Sequence, residues 1–184
     1  SLLKKNKVTV IKGEASFRDS HTITVGSDTY TSSNFIIATG ARARTVPSLP
    51  IDGETVITSR EALELTTVPK RIAIVGGGAT GVEFAYIYNA YGAQVTLIEM
   101  LPNILPNEDN DICQELKKSL TKQGITVATD TKVSGMSSKG KVKTLELVTS
   151  QNDKSSLEVD KVLVAIGVQG NIEGLNLESI GVNT

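Results

Sequence analysis

A glycine-rich turn between an apolar strand and a helix constrains this chain more than any other feature of its sequence. Residues Gly76 to Gly81 read Gly-Gly-Gly-Ala-Thr-Gly and fit the pattern G-x-G-x-x-G. The apolar run 71–75 precedes the pattern, and a helix-forming run over 80–91 follows it and ends before Gly92. A glycine pattern in this position is typical of a turn that brings backbone N–H groups and a helix N-terminus to a pyrophosphate.

Each glycine has its own expected role in that turn. Gly76 permits the tight turn, Gly78 lets the backbone approach the pyrophosphate, and Gly81 brings the helix close to the sheet. Glu99 stands 23 residues after Gly76, at the end of the next expected strand, where a carboxylate can accept hydrogen bonds from adenosine ribose hydroxyls. The combination predicts a dinucleotide site, and the alternative is a glycine turn with a structural role alone.

Charge near the expected ribose site favours one dinucleotide over the other. Glu99 would repel the 2′-phosphate of NADP, and the sequence contains no arginine after Arg71 that could offset this repulsion. NAD is therefore the expected cofactor.

Strands and helices alternate from Lys70 onward, which predicts an α/β fold with a Rossmann-like parallel sheet. An antiparallel β-meander is expected before it, and the last eighteen residues read as loop with one helical turn. The expected strands are 8–11, 22–25, 29–31, 35–38, 71–75, 94–98, 125–128, 142–148, 157–159 and 162–166, and the expected helices are 61–65 (capped by Ser59), 80–91 and 107–123.

Composition excludes several classes of function. The chain has 184 residues with 19 Lys and Arg against 20 Asp and Glu, so it lacks the basic excess of nucleic-acid-binding proteins. No apolar run approaches the length of a membrane span, and the start of the chain lacks the apolar region of a signal peptide. The single cysteine, Cys113, excludes an intrachain disulfide and a Cys-based zinc site and favours a reducing, cytoplasmic location. We expect Cys113 to be a buried apolar residue rather than a reactive thiol, and His21 to be a solvated turn residue.

Several motifs in combination resemble those of the flavin disulfide reductases, and most closely the branch that oxidises dihydrolipoamide. They are residues 37–41, 59–69, 76–83, Glu99 and 160–167, and the resemblance covers essentially the whole chain. In that family an NAD-binding domain is inserted into a FAD domain. Two apolar strands that end in Ala-x-Gly mark the points where the chain passes from one domain to the other. The chain begins at Ser1 rather than Met, so we expect a piece of a longer protein.

The resemblance implies a division of the chain and a set of binding positions. It implies a partial FAD-domain segment over 1–44, a linker with a short helix over 45–68, a three-layer NAD-binding domain over 69–168, and a return to the FAD domain over 169–184. The implied NAD positions are Gly76, Gly77, Gly78, Ala79, Thr80, Gly81, Glu83 (nicotinamide half), Glu99 (adenosine ribose), Met100, Val133 (adenosine side) and Gly167 (beneath the cofactor). The implied FAD positions are Ala15, Thr39 and Gly40.

Two departures from relatives inform the comparison. NADPH-using glutathione reductase has an aromatic residue in place of Ala79 and alanine in place of Gly81, which favours the lipoamide branch. Residues 167–171 read Gly-Val-Gln-Gly-Asn instead of the family's commoner Gly-Arg-x-Pro-Asn. The resemblance therefore does not predict which residues that loop contacts.

The resemblance further implies that the parent enzyme passes electrons from dihydrolipoamide through a redox disulfide and FAD to NAD. This chain lacks the Cys-x4-Cys pair and the C-terminal His-Glu pair of the family. We therefore expect it to bind NAD or NADH without turnover and to hold no catalytic residue and no metal. The implied partners are its own FAD and dimerisation domains, a second copy in a homodimer and a 2-oxo acid dehydrogenase complex. The alternatives are a mercuric, coenzyme A disulfide or transhydrogenase type of reductase, or a free-standing nucleotide-binding module.

Overall fold

A computed structural model describes residues 2–140 and 142–184. They form two compact units, one that contains residues 43–169 and one that combines the residues up to 42 with residues 170–184. None of the described helices has both the length and the apolar composition needed to cross a bilayer.

The smaller unit is built on an antiparallel meander of three strands. Phe17 on the first strand is buried, packs edge-on against Phe35 at a ring distance of 5.2 Å, and donates its backbone N–H to the carbonyl oxygen of Leu175. Residues near the end of the chain therefore help to cover this sheet. Its elements are α1 (Leu2–Lys5), β1 (Ala15–Asp19), β2 (Thr22–Val25), β3 (Asp28–Thr31) and a 3₁₀ turn (Leu177–Ile180).

Two strands expected in this unit are not formed. Residues 8–11 and 35–38 have no strand conformation, and the side chain of Ile36 is 94% exposed. The prediction was wrong because apolar composition favours a strand, whereas a strand forms only where a neighbour pairs with its backbone. No described strand pairs with either segment.

The larger unit contains a five-stranded parallel sheet, which confirms the expected Rossmann-like architecture. Its strands lie in the order β5 (Val56–Ile57), β12 (Lys161–Val164), β6 (Arg71–Val75), β7 (Gln94–Ile98) and β8 (Thr126–Ala128). The observed β6 and β7 coincide with the expected strands. The residues expected to form a linker with a short helix contribute β5 and a helix, α2 (Ser59–Glu64), to this unit. The strands from the boundary onward are β4 (Ala41–Ala43), β5 (Val56–Ile57), β6 (Arg71–Val75), β7 (Gln94–Ile98), β8 (Thr126–Ala128), β9 (Thr131–Lys139), β10 (Val142–Thr149), β11 (Lys154–Val159), β12 (Lys161–Val164) and β13 (Val168–Gly170), which pairs with β4.

Alternate residues of the parallel strands enter two separate cores, which gives the unit three layers. Ile72 and Ile74 of β6 pack with the helices, whereas Ala73 packs with the antiparallel sheet β11-β10-β9 on the other face. The helices are α2 (Ser59–Glu64), α3 (Ala79–Ala90) and α4 (Asn110–Lys122). The parallel sheet is thus covered on both faces, as its continuous apolar runs indicate.

Several element boundaries differ from the expected ones, and three of these differences have a clear local cause. The N-cap of α2 is Thr58 rather than Ser59: its hydroxyl oxygen accepts a hydrogen bond from Arg60 N–H, and Glu61 accepts one in return from Thr58 N–H. The helix expected from 107 begins at Asn110, because Asp109 caps it. Strand β9 was not expected, since an irregularity in its pairing with β10 interrupts the alternation of apolar residues.

Candidate dinucleotide-binding site

The turn from β6 into α3 lies at the carboxyl end of the parallel sheet. At two glycines of the pattern, one in the turn and one in α3, a side chain would meet backbone atoms. Gly76 has a φ of 112°, and a Cβ atom there would lie 2.3 Å from the carbonyl oxygen of Ala165. A Cβ atom on Gly81 would lie 1.8 Å from the carbonyl oxygen of Gly76. Carbon and oxygen atoms do not approach this closely, so a larger residue at either position would require the backbone to move.

Gly78 differs from these two glycines. Its φ of −71° is accessible to any residue, and a Cβ atom there would have no neighbour within 4 Å. Gly78 is also the N-cap of α3 and supplies no capping side chain. The missing side chain therefore leaves open the space in front of the N-terminal N–H groups of α3, where the helix carries its partial positive charge.

The carboxylate of Glu99 connects the glycine turn to the end of β7. Its Oε2 accepts a hydrogen bond from the backbone N–H of Gly77 at 2.6 Å, and its Oε1 accepts one from the backbone N–H of Leu101 at 2.8 Å. The residue is only 7% exposed. Each carboxylate oxygen has capacity for a further hydrogen bond, so Glu99 can hold the turn and still accept from a ligand hydroxyl.

A cleft of about 480 Å³ opens at this end of the sheet, entirely within the larger unit. The helix start, the end of β7 and the beginning of β9 each contribute to its wall. Of the positions implied by the family resemblance, those that line it are Gly76, Gly78, Ala79, Thr80, Glu99, Met100, Val133 and Gly167.

Other implied NAD positions lie outside the cleft lining. Gly77 belongs to the turn and donates its backbone N–H to Glu99, and Gly81 is a buried residue in the first turn of α3. Glu83 lies on an exposed part of α3. The loop 101–106 contributes Leu101 and Pro106 to the wall, whereas Ile104 of the same loop is fully buried in the core.

The three implied FAD positions belong to the smaller unit. Ala15 begins β1, and Thr39 and Gly40 are bonded to one residue, Asn171. The hydroxyl of Thr39 donates to the carbonyl oxygen of Asn171 at 2.6 Å, and the backbone N–H of Asn171 donates to the carbonyl oxygen of Gly40 at 3.0 Å. The loop that departs from the family's pattern therefore binds the segment that contains Thr39.

Sequence reasoning missed several residues that line the cleft. Ala165 and Ile166 follow a parallel strand, and the carboxyl ends of such strands are a general signal for ligand contact. Thr131 and Lys132 were not predicted to line the cleft because they begin β9, a strand that the sequence did not predict. Nothing in the sequence indicates that residues 46–49 reach the cleft. The missed residues are Val46, Ser48, Leu49, Val75, Ile98, Thr131, Lys132, Ala165 and Ile166.

Two other candidate residues have ordinary surroundings. Cys113 is buried, as expected, and its Sγ lies 3.3 Å from the carbonyl oxygen of Leu105. His21 is exposed, with Nδ1 3.2 Å from the carbonyl oxygen of Ser32. Among the residues that the structure describes, no three His, Cys, Asp or Glu side chains are grouped closely enough to hold a metal ion.

Comparisons with known proteins place the chain in a family. Residues 1–184 match the family model described as "Pyridine nucleotide-disulphide oxidoreductase". The dihydrolipoyl dehydrogenase of Mycobacterium bovis is 41% identical over 186 residues, which cover 98% of this chain and 40% of that protein. The chain thus spans about 40% of the length of this curated relative.

Two solved structures have the same fold. One is LpdA from Mycobacterium tuberculosis, with a TM-score of 0.81, 28% identity, and coverage of 98% of this chain and 41% of that one. The other is the copper(II) complex of the HOCl-induced flavoprotein disulfide reductase RclA from Escherichia coli, with a TM-score of 0.80, 29% identity, and coverage of 99% and 41%. The chain has the glycine turn and the three-layer architecture described above, and it matches the family model along its whole sequence. It therefore belongs to the pyridine nucleotide-disulphide oxidoreductase family.

Proposed function

We propose that this chain contains the NAD-binding domain of a dihydrolipoyl dehydrogenase. The single observation that carries the proposal is the open space at Gly78, which lies at the uncapped start of α3 and within the cleft. A pyrophosphate placed there would meet backbone N–H groups and the positive end of the helix dipole. The relatives named dihydrolipoyl dehydrogenase support the choice of enzyme.

We assign residues 69–168 to the NAD-binding domain and residues 45–68 to a linker that packs on it. Residues 1–44 and 169–184 are assigned to a flavin domain, in which Ala15, Thr39 and Gly40 would contact FAD. The division of the chain into compact units near residues 43 and 169 supports these boundaries. In the longer protein, electrons would pass from dihydrolipoamide through a redox disulfide and FAD to NAD.

The residues of the cleft would bind and orient the cofactor. The helix start and Gly78 would hold the pyrophosphate, Glu99 would accept hydrogen bonds from the adenosine ribose, and Val133 would contact the adenosine side. Gly167 would pass beneath the cofactor. NAD supplies the hydride-accepting nicotinamide ring when it is bound, and none of these residues reacts chemically.

Charge at the ribose end favours NAD over NADP. Glu99 is buried and would lie close to a 2′-phosphate, which raises the free energy of NADP binding. Lys132 also lines the cleft and acts in the opposite direction, but its exposed position on β9 weakens its electrostatic effect. We therefore propose NAD as the cofactor.

Isothermal titration of this chain with NADH and with NADPH tests the proposal. We expect NADH to bind with at least about tenfold higher affinity, which corresponds to about 1.4 kcal/mol. Equal affinity, preference for NADPH, or no binding of either nucleotide would contradict it.

A second candidate is another flavoprotein disulfide reductase. RclA matches this chain with a TM-score of 0.80, nearly the 0.81 of LpdA, so the fold does not distinguish the two. The longer protein that carries this chain should be assayed with dihydrolipoamide and NAD. Reduction of NAD supports the first candidate, and reduction of a different disulfide at the expense of NADH without activity on dihydrolipoamide supports the second.

A further inference from the structure

The segment 44–49 lies between two parts of the cleft wall that are far apart in sequence. The backbone N–H of Arg44 donates to the carbonyl oxygen of Gly167 at 3.0 Å, and its Nε donates to the carbonyl oxygen of Val168 at 3.1 Å. At the other end of the segment, the hydroxyl of Ser48 donates to the carbonyl oxygen of Val133 at 3.2 Å. Both Gly167 and Val133 line the cleft.

The local sequence fixes where the Ser48 hydroxyl lies. Leu49 N–H donates to the carbonyl oxygen of Val46 at 3.0 Å, which closes a turn with Pro47 and Ser48 at its centre. Proline is favoured at the first central position of such a turn because its φ is already set. Ser48 therefore follows a rigid residue.

Packing in the apolar core also holds this turn in place. Leu49 is fully buried and packs in the apolar cluster between the parallel sheet and the antiparallel sheet, together with Val133 and Ile98. Val46, Ser48 and Leu49 themselves line the cleft. The turn is thus attached to the core through Leu49 and to the start of β9 through Ser48.

From this arrangement we infer that Ser48 is a positioning residue for the dinucleotide cleft. Its hydroxyl holds the Val133 end of β9 at the distance from Gly167 that the cofactor requires. The inference rests on the proposed function and deepens it. Ser48 acts through the backbone of Val133, so its loss leaves every proposed cofactor contact present but less firmly placed. The hydrogen bond to Val133 requires a hydroxyl at position 48, and the methyl side chain of alanine cannot form it.

The test compares NADH affinity by isothermal titration in the unmodified chain and in Ser48→Ala, Ser48→Thr and Ser134→Ala. Ser134 is a matched control on β9, because its hydroxyl also donates to a backbone carbonyl, that of Glu146, and it does not line the cleft. Loss of one hydrogen bond should weaken NADH binding by Ser48→Ala about three- to tenfold. Ser48→Thr keeps the hydroxyl and should bind NADH as tightly as the unmodified chain does. Ser134→Ala should also leave NADH affinity unchanged.

Hydrogen exchange of residues 131–136 without ligand provides a second readout. It should be faster in Ser48→Ala than in the unmodified chain and should return to its original rate in Ser48→Thr. Unchanged NADH affinity in Ser48→Ala, or an equal loss in Ser48→Thr, would overturn the inference while the proposed function stands. If the unmodified chain binds no NADH, the proposed function fails and the inference falls with it.

Discussion

Glu99 and Gly77 are 22 residues apart in sequence, yet the carboxylate of one accepts a 2.6 Å hydrogen bond from the backbone N–H of the other. The bond joins the end of β7 to the turn after β6. The proposed ribose ligand is therefore also part of the structure of the glycine turn, and substitutions at Glu99 act on stability and on binding together.

Replacing Glu99 with alanine should affect both properties. The backbone N–H groups of Gly77 and Leu101 would lose their acceptor, which should lower the free energy of unfolding by about 2–4 kcal/mol. NADH affinity should fall at least about tenfold, whereas NADPH affinity should fall less or rise, since the repulsive charge is gone. Chemical denaturation and titration with both nucleotides measure the two effects. Glu115→Ala, at an exposed position on α4, is the control, and an equal loss for both nucleotides would argue against a ribose contact.

Gly78 and Gly81 should respond differently to the same substitution. Gly81→Ala would place a carbon 1.8 Å from the carbonyl oxygen of Gly76, so we expect a loss of stability of about 3 kcal/mol or more. Gly78→Ala meets no protein atom, and its stability should change by less than about 1 kcal/mol. Its NADH affinity should nevertheless fall, because the added methyl group occupies the space proposed for the pyrophosphate. Unimpaired binding by Gly78→Ala would place the pyrophosphate elsewhere.

Thr58 and Ser59 form a matched pair at the start of α2. Thr58→Ala removes a capping hydroxyl and should lower the free energy of unfolding by about 1 kcal/mol. Ser59→Ala should have little effect, since Ser59 is the first residue of the helix rather than its cap. Neither variant should change NADH affinity. The opposite order of stabilities in urea denaturation would show that Ser59 is the cap.

Acid should weaken the contact between Arg71 and Asp160 at the amino end of the parallel sheet. A hydrogen bond from the Arg71 guanidinium, together with its charge, holds the pKa of the Asp160 carboxyl below its ordinary value. This stabilisation is therefore fully present above the unfolded-state pKa of about 4, and is lost as the pH falls through the lower folded-state pKa. Asp160→Asn should lower stability at neutral pH and reduce its decline below about pH 4.

Denaturation midpoints measured across this pH range, with Asp153→Asn as a control at an exposed turn, test the prediction. Because the contact lies at the opposite end of the sheet from the cleft, NADH affinity of the folded protein should not change. An unchanged acid dependence in Asp160→Asn would show that the pair contributes no stability.

The sequence was most informative where a short apolar strand has clear sequence boundaries at both ends. Strands β6 and β7 were predicted to the residue because their apolar runs are bounded by charged residues and glycines. It was least informative where structure depends on distant pairing. Residues 35–38 have strand composition without a strand partner, and Ser48 reaches a carbonyl group 85 residues away. Neither the lack of a partner nor the long-range hydrogen bond leaves a local pattern that a sequence can show.

The hydrogen bond between Arg44 and Gly167 brings the two ends of the larger unit together. A module whose entry and exit lie side by side can be inserted into a host chain, or removed from it, at a single point. Joining those ends with a short peptide and opening the chain at the exposed turn between β10 and β11 would give a circular permutant with the same connections between its layers.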